Sequence, residues 1–117
     1  RLGRKLSITG KGRCNLTNAA DTAEIIKNIP GNGKFLNSAL NNFTANDTVS
    51  FFESLGLKTK IERGNRIFPE SDNAAEVIDV LNRKLTELNV TVKLNSPIEN
   101  IIADEKIRGV PSTKGVL

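Results

Sequence analysis

Apolar residues recur at helical spacing along residues 73–88. The members of this stripe lie three or four positions apart: Ala74, Val77, Ile78, Leu81, Leu85 and Leu88. Asn73 precedes the stripe and Glu76 follows three residues later, which is typical of a helix N-terminus. The pattern predicts an amphipathic helix with one face on a core.

Three shorter helices are predicted before residue 56. The first begins at Asp21 and ends at Pro30. The second is marked by apolar residues at helical spacing: Phe35, Leu36, Ala39, Leu40 and Phe43. Thr44 and Asp47 have the spacing of a cap for a third helix, which ends before Gly56.

Alternating apolar and charged residues predict β-strands in the remaining segments. Residues 57–68 form the pattern of a β-hairpin around the turn Arg63-Gly64-Asn65. Residues 90–94 alternate as a single strand. Residues 98–102 and 107–110 predict two more short strands around the polar turn 104–106.

Residues 1–18 are the least ordinary part of the chain. Their glycines and scattered basic residues predict an ordered loop around a short extended piece at Leu6–Thr9. A chain of 117 residues is long enough for one domain with a modest core. We therefore expect one mixed α/β unit with three parts: loop 1–18, helices and hairpin 19–89, and strand and meander 90–117.

The positive charge is concentrated near the N-terminus. The net charge is +4, and five basic residues fall within the first thirteen positions: Arg1, Arg4, Lys5, Lys11 and Arg13. Such a local cluster suits a compact anion, such as a pyrophosphate, at least as well as a long polyanion. The chain has no Tyr or Trp on which bases could stack.

Composition limits the chemistry that these residues can perform. The chain has no histidine, which removes the usual general base and most zinc sites. Any reaction must therefore depend largely on a cofactor; no catalytic residue and no metal site are predicted. Cys14 is the single cysteine, and no apolar run reaches the roughly 20 residues of a membrane helix. We expect a soluble, cytoplasmic protein with no membrane partner.

Two glycines around Lys11 suggest a loop that binds an anion. Glycine allows backbone amides to turn toward a bound group, and such nests bind anions. Arg13 adds charge, and the polar side chains nearby can add hydrogen bonds: Thr9, Asn15 and Thr17. This combination is typical of a dinucleotide-binding loop, although a Gly-Lys-Gly turn alone also occurs in many solvated loops.

The full stretch 3–18 resembles the signature that follows the second strand in a family of bacterial FAD-dependent oxidoreductases. These flavoproteins are described as aminoacetone-oxidase-like or NAD(FAD)-utilizing dehydrogenase-like. Residues 30–36, 51–56 and 63–72 are similar to successive landmarks of the same family. The resemblance extends over about 100 residues, up to Ile102.

The resemblance implies a partial FAD/NAD(P)-binding fold of the glutathione-reductase type with non-covalent FAD. It also implies an unknown small-molecule substrate, NAD(P) as one candidate electron partner, and no nucleic acid. Gly3, Arg4 and Lys5 would lie toward the adenosine and pyrophosphate, and Ile98 would address the adenine through its backbone. The remaining residues would run along the cofactor toward the flavin: Thr9, Gly10, Gly12, Arg13, Cys14, Asn15 and Thr17.

Parts of the family pattern are missing from this sequence. The G-x-G-x-x-G helix start and the acidic ribose ligand would precede Arg1, and a later strand would follow Leu117. With no methionine in the chain, we expect an internal fragment that binds FAD poorly and is inactive alone.

Rival interpretations stay open at this point. One is a small basic module that binds nucleic acid; another is a folded unit that self-associates through open strand edges. Cys14 suits packing or a local cofactor contact better than a dithiol, because no pairing partner exists. Arg63 and Arg66 in the hairpin have the charge to meet an anionic substrate, but hairpin arginines are more often solvated, and solvation is the favoured interpretation.

Overall fold

A three-stranded antiparallel sheet joins the N-terminal loop to the central hairpin. The computed structural model describes residues 1–103, 107–109, 111–112 and 115–116. The strands are β1 (Thr17–Asn18), β2 (Thr59–Glu62) and β3 (Arg66–Pro69), with β3 in the middle. Thr17 and Ile61 both pair with Ile67. The predicted hairpin is confirmed, and β1, which the pattern did not predict, fixes the loop to it.

The three short helices are also confirmed. Their bounds are α1 (Thr22–Lys27), α2 (Asn37–Asn42) and α3 (Ala45–Ser54), with a 3₁₀ turn at Gly33–Leu36 before α2. The Asp21 carboxylate accepts a hydrogen bond of 2.8 Å from the Glu24 backbone N–H. Thr44 and Asp47 form a reciprocal capping box at the start of α3. These polar caps satisfy amides that have no partner within the helix.

The long helix α4 spans Ala74–Glu87. The Asn73 side chain caps its N-terminus by accepting a hydrogen bond of 2.9 Å from the Ala75 N–H. At the other end Asn89 adopts φ 54°, and the Val90 N–H returns to the Leu85 carbonyl at 2.9 Å. This left-handed cap ends the helix. No helix among the described residues is long and apolar enough to cross a membrane.

The core lies between α4 and the N-terminal loop. Its buried residues are Cys14, Leu57, Ala74, Val77 and Val80, with partly buried neighbours Leu6, Leu16, Phe52, Leu55 and Leu81. The predicted stripe on α4 is confirmed over its first two turns. It does not extend to Leu88, whose side chain is 61% exposed.

The extended piece predicted at Leu6–Thr9 is wrong. Residues Leu6–Gly12 form 3₁₀ turns interrupted by a left-handed reversal. Two hydroxyls stabilise these turns: Ser7 Oγ donates to the Arg4 carbonyl at 2.7 Å, and Thr9 Oγ1 donates to the Leu6 carbonyl at 2.8 Å. Such local side-chain hydrogen bonds favour turns over strands.

The strand predicted at residues 90–94 is also wrong. No neighbouring strand lies beside this segment in the described part of the chain, so its backbone lacks the ladder partner that a strand requires. The strand predicted at 98–102 is reduced to β4 (Ile102–Ala103), which pairs with β5 (Ile107–Gly109). A second hairpin joins β6 (Pro111–Ser112) to β7 (Gly115–Val116). The predicted turn 104–106 and Val110 lie outside the described residues.

The cap of α3 makes stability depend on pH. Hydrogen bonds from the Thr44 backbone N–H and hydroxyl lower the pKa of the Asp47 carboxyl below its ordinary value. Because the folded pKa is the lower one, the stabilisation is complete above the ordinary value, about pH 4, and disappears as pH falls through the lowered pKa. We expect Asp47→Asn to unfold at lower urea concentration than wild type at pH 7, with the difference shrinking in acid. Far-UV circular dichroism measures both.

Asp79→Asn is the control for this test. Asp79 is exposed on α4 and forms no ion pair or side-chain hydrogen bond with the described residues. An Asp47→Asn difference no larger at pH 7 than that of Asp79→Asn would contradict the cap assignment.

Candidate functional site

A cleft of about 420 Å³ opens between the N-terminal loop and β3. Its lining residues are Gly10, Lys11, Arg13, Asn15, Arg66 and Phe68. Three of them, Gly10, Arg13 and Asn15, belong to the set that the sequence assigned to cofactor binding. The cleft therefore joins part of the predicted loop to a hairpin 50 or so residues later in the chain.

Left-handed backbone at Gly10, Lys11 and Gly12 shapes this wall of the cleft. Their φ angles are 54°, 59° and 87°. A Cβ atom on Gly10 would lie 2.9 Å from the Asn15 backbone nitrogen and 3.0 Å from a ring carbon of Phe68. Both distances are too short for an ordinary contact, so only glycine fits here. The absent side chain lets the loop pack directly against the Asn15 amide and the edge of the Phe68 ring, and we call this close contact the glycine cradle.

Hydrogen bonds fix the loop to the central strand. The Leu16 N–H donates to the Ile67 carbonyl at 2.8 Å. The Asn15 side-chain amide donates to the Ile67 carbonyl at 3.0 Å and to the Thr17 carbonyl at 2.8 Å. Asn15 thus holds the loop through its Nδ2 atom. Thr17 acts through its backbone as part of β1.

Arg13 links the loop to the hairpin through its guanidinium group. Nη1 lies 2.9 Å and 3.0 Å from the two carboxylate oxygens of Glu62, and 3.3 Å from Asp72 Oδ1. The guanidinium carbon lies 4.0 Å from the centroid of the Phe68 ring. Arg13 therefore combines ion pairing with a cation–π contact.

Lys60 completes a cluster of two cations and two carboxylates. Its Nζ atom lies 2.6 Å from Asp72 Oδ2 and 3.6 Å from Glu62 Oε1. The hydrogen bond from Lys60 lowers the pKa of Asp72, and the hydrogen bond to Glu62 raises the pKa of Arg13. Arg13, Lys60 and Asp72 are therefore held in their charged forms, and the charge of Arg13 is balanced within the protein.

Lys11 and Arg66 supply positive charge at the mouth of the cleft. Both side chains are exposed, and neither lies within 4.0 Å of a carboxylate in the part of the chain that the structure describes. Arg66 Nε donates to the Arg63 carbonyl at 3.0 Å, and its guanidinium carbon lies 5.8 Å from the Phe68 centroid. Sequence reasoning described Arg66 as a solvated hairpin residue and omitted Phe68. Their i, i+2 spacing on a strand, which directs both to one face, is the signal that could have joined them.

The other residues assigned to the cofactor do not line this cleft. Gly3 packs against α4, where an added Cβ would lie 2.7 Å from the Ile78 side chain. Arg4 and Lys5 are exposed near the start of the chain. Ile98 lies beyond α4 with half of its side chain exposed. Four more assigned residues belong to the loop but are not among the residues that line the cleft: Thr9, Gly12, Cys14 and Thr17.

Cys14 is a core residue in this structure. Its side chain is 2% exposed and belongs to the cluster under α4, although its backbone adopts φ 61°. Among the described residues, no three His, Cys, Asp or Glu side chains group together to hold a metal ion.

The sequence as a whole matches a known family. A family model described as the HI0933-like protein Rossmann domain matches residues 1–115. The chain belongs to the HI0933-like family. Membership confirms the resemblance on residues 3–18 and with it an FAD-binding, Rossmann-type domain of oxidoreductases. The mixed helices and small antiparallel sheet agree with part of such a fold.

Two curated relatives align with most of this HI0933-like chain. The 3-dehydro-bile acid delta(4,6)-reductase of Clostridium scindens is 39% identical over 98 residues, which cover 84% of this chain and 23% of the relative. The ribosomal RNA dihydrouridine synthase of Escherichia coli is 31% identical over 103 residues, which cover 88% of this chain and 25% of the relative. The chain thus spans about a quarter of the length of these relatives.

Burial of Cys14 leads to a test of its role. Because the thiol packs in the core, we expect it to react with a maleimide at least roughly a hundredfold more slowly in the native protein than in urea, since reaction then requires an opening of the fold. Peptide mass spectrometry of the residue 14 peptide measures both rates. Equal rates would contradict the core position of this thiol.

Proposed function

We propose that this chain contributes an FAD-contacting loop to an FAD-dependent oxidoreductase. The observation that carries the proposal is the cleft at Gly10, whose backbone and neighbours form a glycine cradle beside an aromatic ring. Family membership supports FAD as the ligand.

The residues around the cradle suit a flat, anionic, nitrogen-rich ligand. Asn15 offers its backbone N–H, and Gly10 and the buried Phe68 ring form part of the cleft wall. Lys11 and Arg66 offset negative charge, as a diphosphate ligand requires. When bound, FAD supplies the hydride or electron transfer. The chain itself binds and orients the cofactor, and its lack of histidine agrees with that division of roles.

The names of the two relatives support a cofactor role for this segment. One acts on a bile acid and the other on ribosomal RNA, which are very different substrates. A segment that both share is better suited to a common cofactor than to either substrate. We therefore propose that the small-molecule substrate and NAD(P), the candidate electron partner, are recognised mainly by other residues.

We propose further that the isolated 117-residue chain is inactive, binds FAD weakly and self-associates. Its exposed apolar side chains support self-association: Phe35 is 81% exposed, Ile8 74% and Ile101 57%. A cytoplasmic location is proposed because the one cysteine is unpaired.

Gly10→Ala tests the cradle in the gene product that contains this chain. The added methyl group would meet the Asn15 amide and Phe68, so we expect loss of bound flavin and destabilisation beyond the ~1 kcal/mol that a left-handed alanine costs. Absorbance near the flavin bands gives the ratio of flavin to protein, and urea unfolding gives the stability.

Gly64→Ala is the matched control. Gly64 has φ 76° with no atom within 4 Å of its added Cβ, so alanine brings the same backbone strain without filling a cleft. We expect it to keep wild-type flavin content. Equal flavin loss in both variants would assign the effect to stability and would contradict the cradle.

Titration of the isolated chain separates FAD from the rival nucleic-acid module. We expect weak or undetectable heat with FAD, and bound flavin in the longer gene product. The rival, which draws on the exposed cations Arg1, Arg4, Lys5 and Lys11, instead predicts flavin-independent binding to RNA that weakens steeply with salt. A longer gene product that purifies without flavin and binds none would contradict the proposed function.

A further inference from the structure

We propose that Arg13 is a positioning residue of the FAD site, which shapes the Gly10–Asn15 loop through Glu62 and Asp72 and contributes little of its charge to the ligand. The inference rests on the proposed function, and it revises the expectation that Arg13 supplies charge to a bound anion.

Carboxylate oxygens surround the Nη1 atom of Arg13. This one nitrogen lies within 3.3 Å of three carboxylate oxygens, two on Glu62 and one on Asp72. An anion that approached the same nitrogen would have to displace a carboxylate or lie beside one. Like charges at such distances repel, so the Nη1 side of this guanidinium is a poor receptor for a phosphate.

Arg13 lies where the left-handed turn of the loop closes. Its backbone N–H donates to the Gly10 carbonyl at 3.3 Å, and the adjacent Cys14 N–H donates to the Thr9 carbonyl at 3.1 Å. The side chain therefore ties the residue that closes the left-handed turn to the far strand. Its stacking on Phe68 at 4.0 Å fixes the ring that forms the opposite wall of the cleft. Loss of the guanidinium would remove the side-chain contacts between the two walls and leave the hydrogen bonds from Asn15 and Leu16 to Ile67.

The cations near the cleft differ in whether a carboxylate neutralises them. Arg13 and Lys60 face Glu62 and Asp72, so this cluster is nearly neutral. Lys11 and Arg66 line the same cleft without a carboxylate within 4.0 Å among the described residues. These two, rather than Arg13, would attract the ligand's negative charge.

Glu62→Gln decides between the two roles by the sign of its effect. If Arg13 contacted the anionic ligand directly, removal of the competing carboxylate would leave FAD affinity unchanged or increase it. If Arg13 positions the loop, the same change loosens the clamp and should weaken FAD binding by roughly tenfold, the size of a typical coupling within one network. The measurement is FAD affinity of the full-length gene product after removal of flavin, followed by flavin fluorescence quenching.

Two further comparisons separate positioning from a general loss of stability. We expect the double variant Arg13→Gln/Glu62→Gln to bind FAD no more weakly than Arg13→Gln alone. Both substitutions remove the same contact, the ion pair between Arg13 and Glu62. Arg13→Lys should regain part of the affinity, since a single nitrogen makes all the carboxylate contacts. The band shape of the bound flavin reports cleft geometry, and it should change in Arg13→Gln and Glu62→Gln.

Lys11→Gln and Glu87→Gln complete the experiment. Lys11→Gln should weaken FAD binding and flatten its salt dependence, whereas Arg13→Gln should leave the salt dependence unchanged. Glu87→Gln removes a surface ion pair with Lys84 far along α4 and should keep wild-type affinity and spectrum.

The outcomes distinguish this inference from the proposed function. Flavin bound by wild type together with equal or tighter binding in Glu62→Gln would overturn the positioning role alone. Additive losses in the double variant, or a flatter salt dependence in Arg13→Gln, would also overturn it. A wild-type protein that binds no flavin would overturn the proposed function and this inference with it.

Discussion

The contact between Arg13 and the hairpin is the constraint on which the cleft depends. It joins a loop near the N-terminus to residues on both sides of β3, through two carboxylates and one aromatic ring. A side-chain hydrogen bond from Asn15 and a backbone hydrogen bond from Leu16, both to the Ile67 carbonyl, reinforce the same connection. Because the two walls come from distant parts of the chain, neither is a site alone. The small sheet turns a flexible glycine sequence into a surface of fixed shape.

The core and the cleft share the same short loop. Cys14 faces inward under α4, while Gly10 and Asn15 line the cleft. This alternation is possible because left-handed residues reverse the backbone within a few positions, at Gly10, Lys11, Gly12 and Cys14. Burial of Cys14 thus helps to hold the turn that forms the cradle. Core packing and the shape of the cleft are therefore coupled through the six residues Gly10–Asn15.

Several parts of the fold follow from local chemistry, and the sequence predicted them. The caps at Asp21, Thr44 and Asn73 start their helices as expected because each acts within one turn. The hairpin was also predicted, because its two strands are joined by the short turn 63–65 and pair with each other. Segments whose structure requires a distant partner were predicted less well: residues 90–94 alternate like a strand, but alternation provides no ladder partner. The sequence predicted an extended piece at Leu6–Thr9 because Ile8 and Thr9 are β-branched. Hydrogen bonds from the Ser7 and Thr9 hydroxyls to nearby carbonyls outweigh that preference and stabilise turns instead.

The sequence by itself determined the family, the helices of the middle segment, and an ordered N-terminal loop. Those features are carried by contiguous motifs and by spacings of three or four residues. Only the tertiary structure decided which loop residues share a cleft, that Arg66 and Phe68 complete it, and that Arg13 is balanced by Glu62 and Asp72. Charge pairing across about 50 positions leaves no local pattern, since any exposed acid could have been the partner.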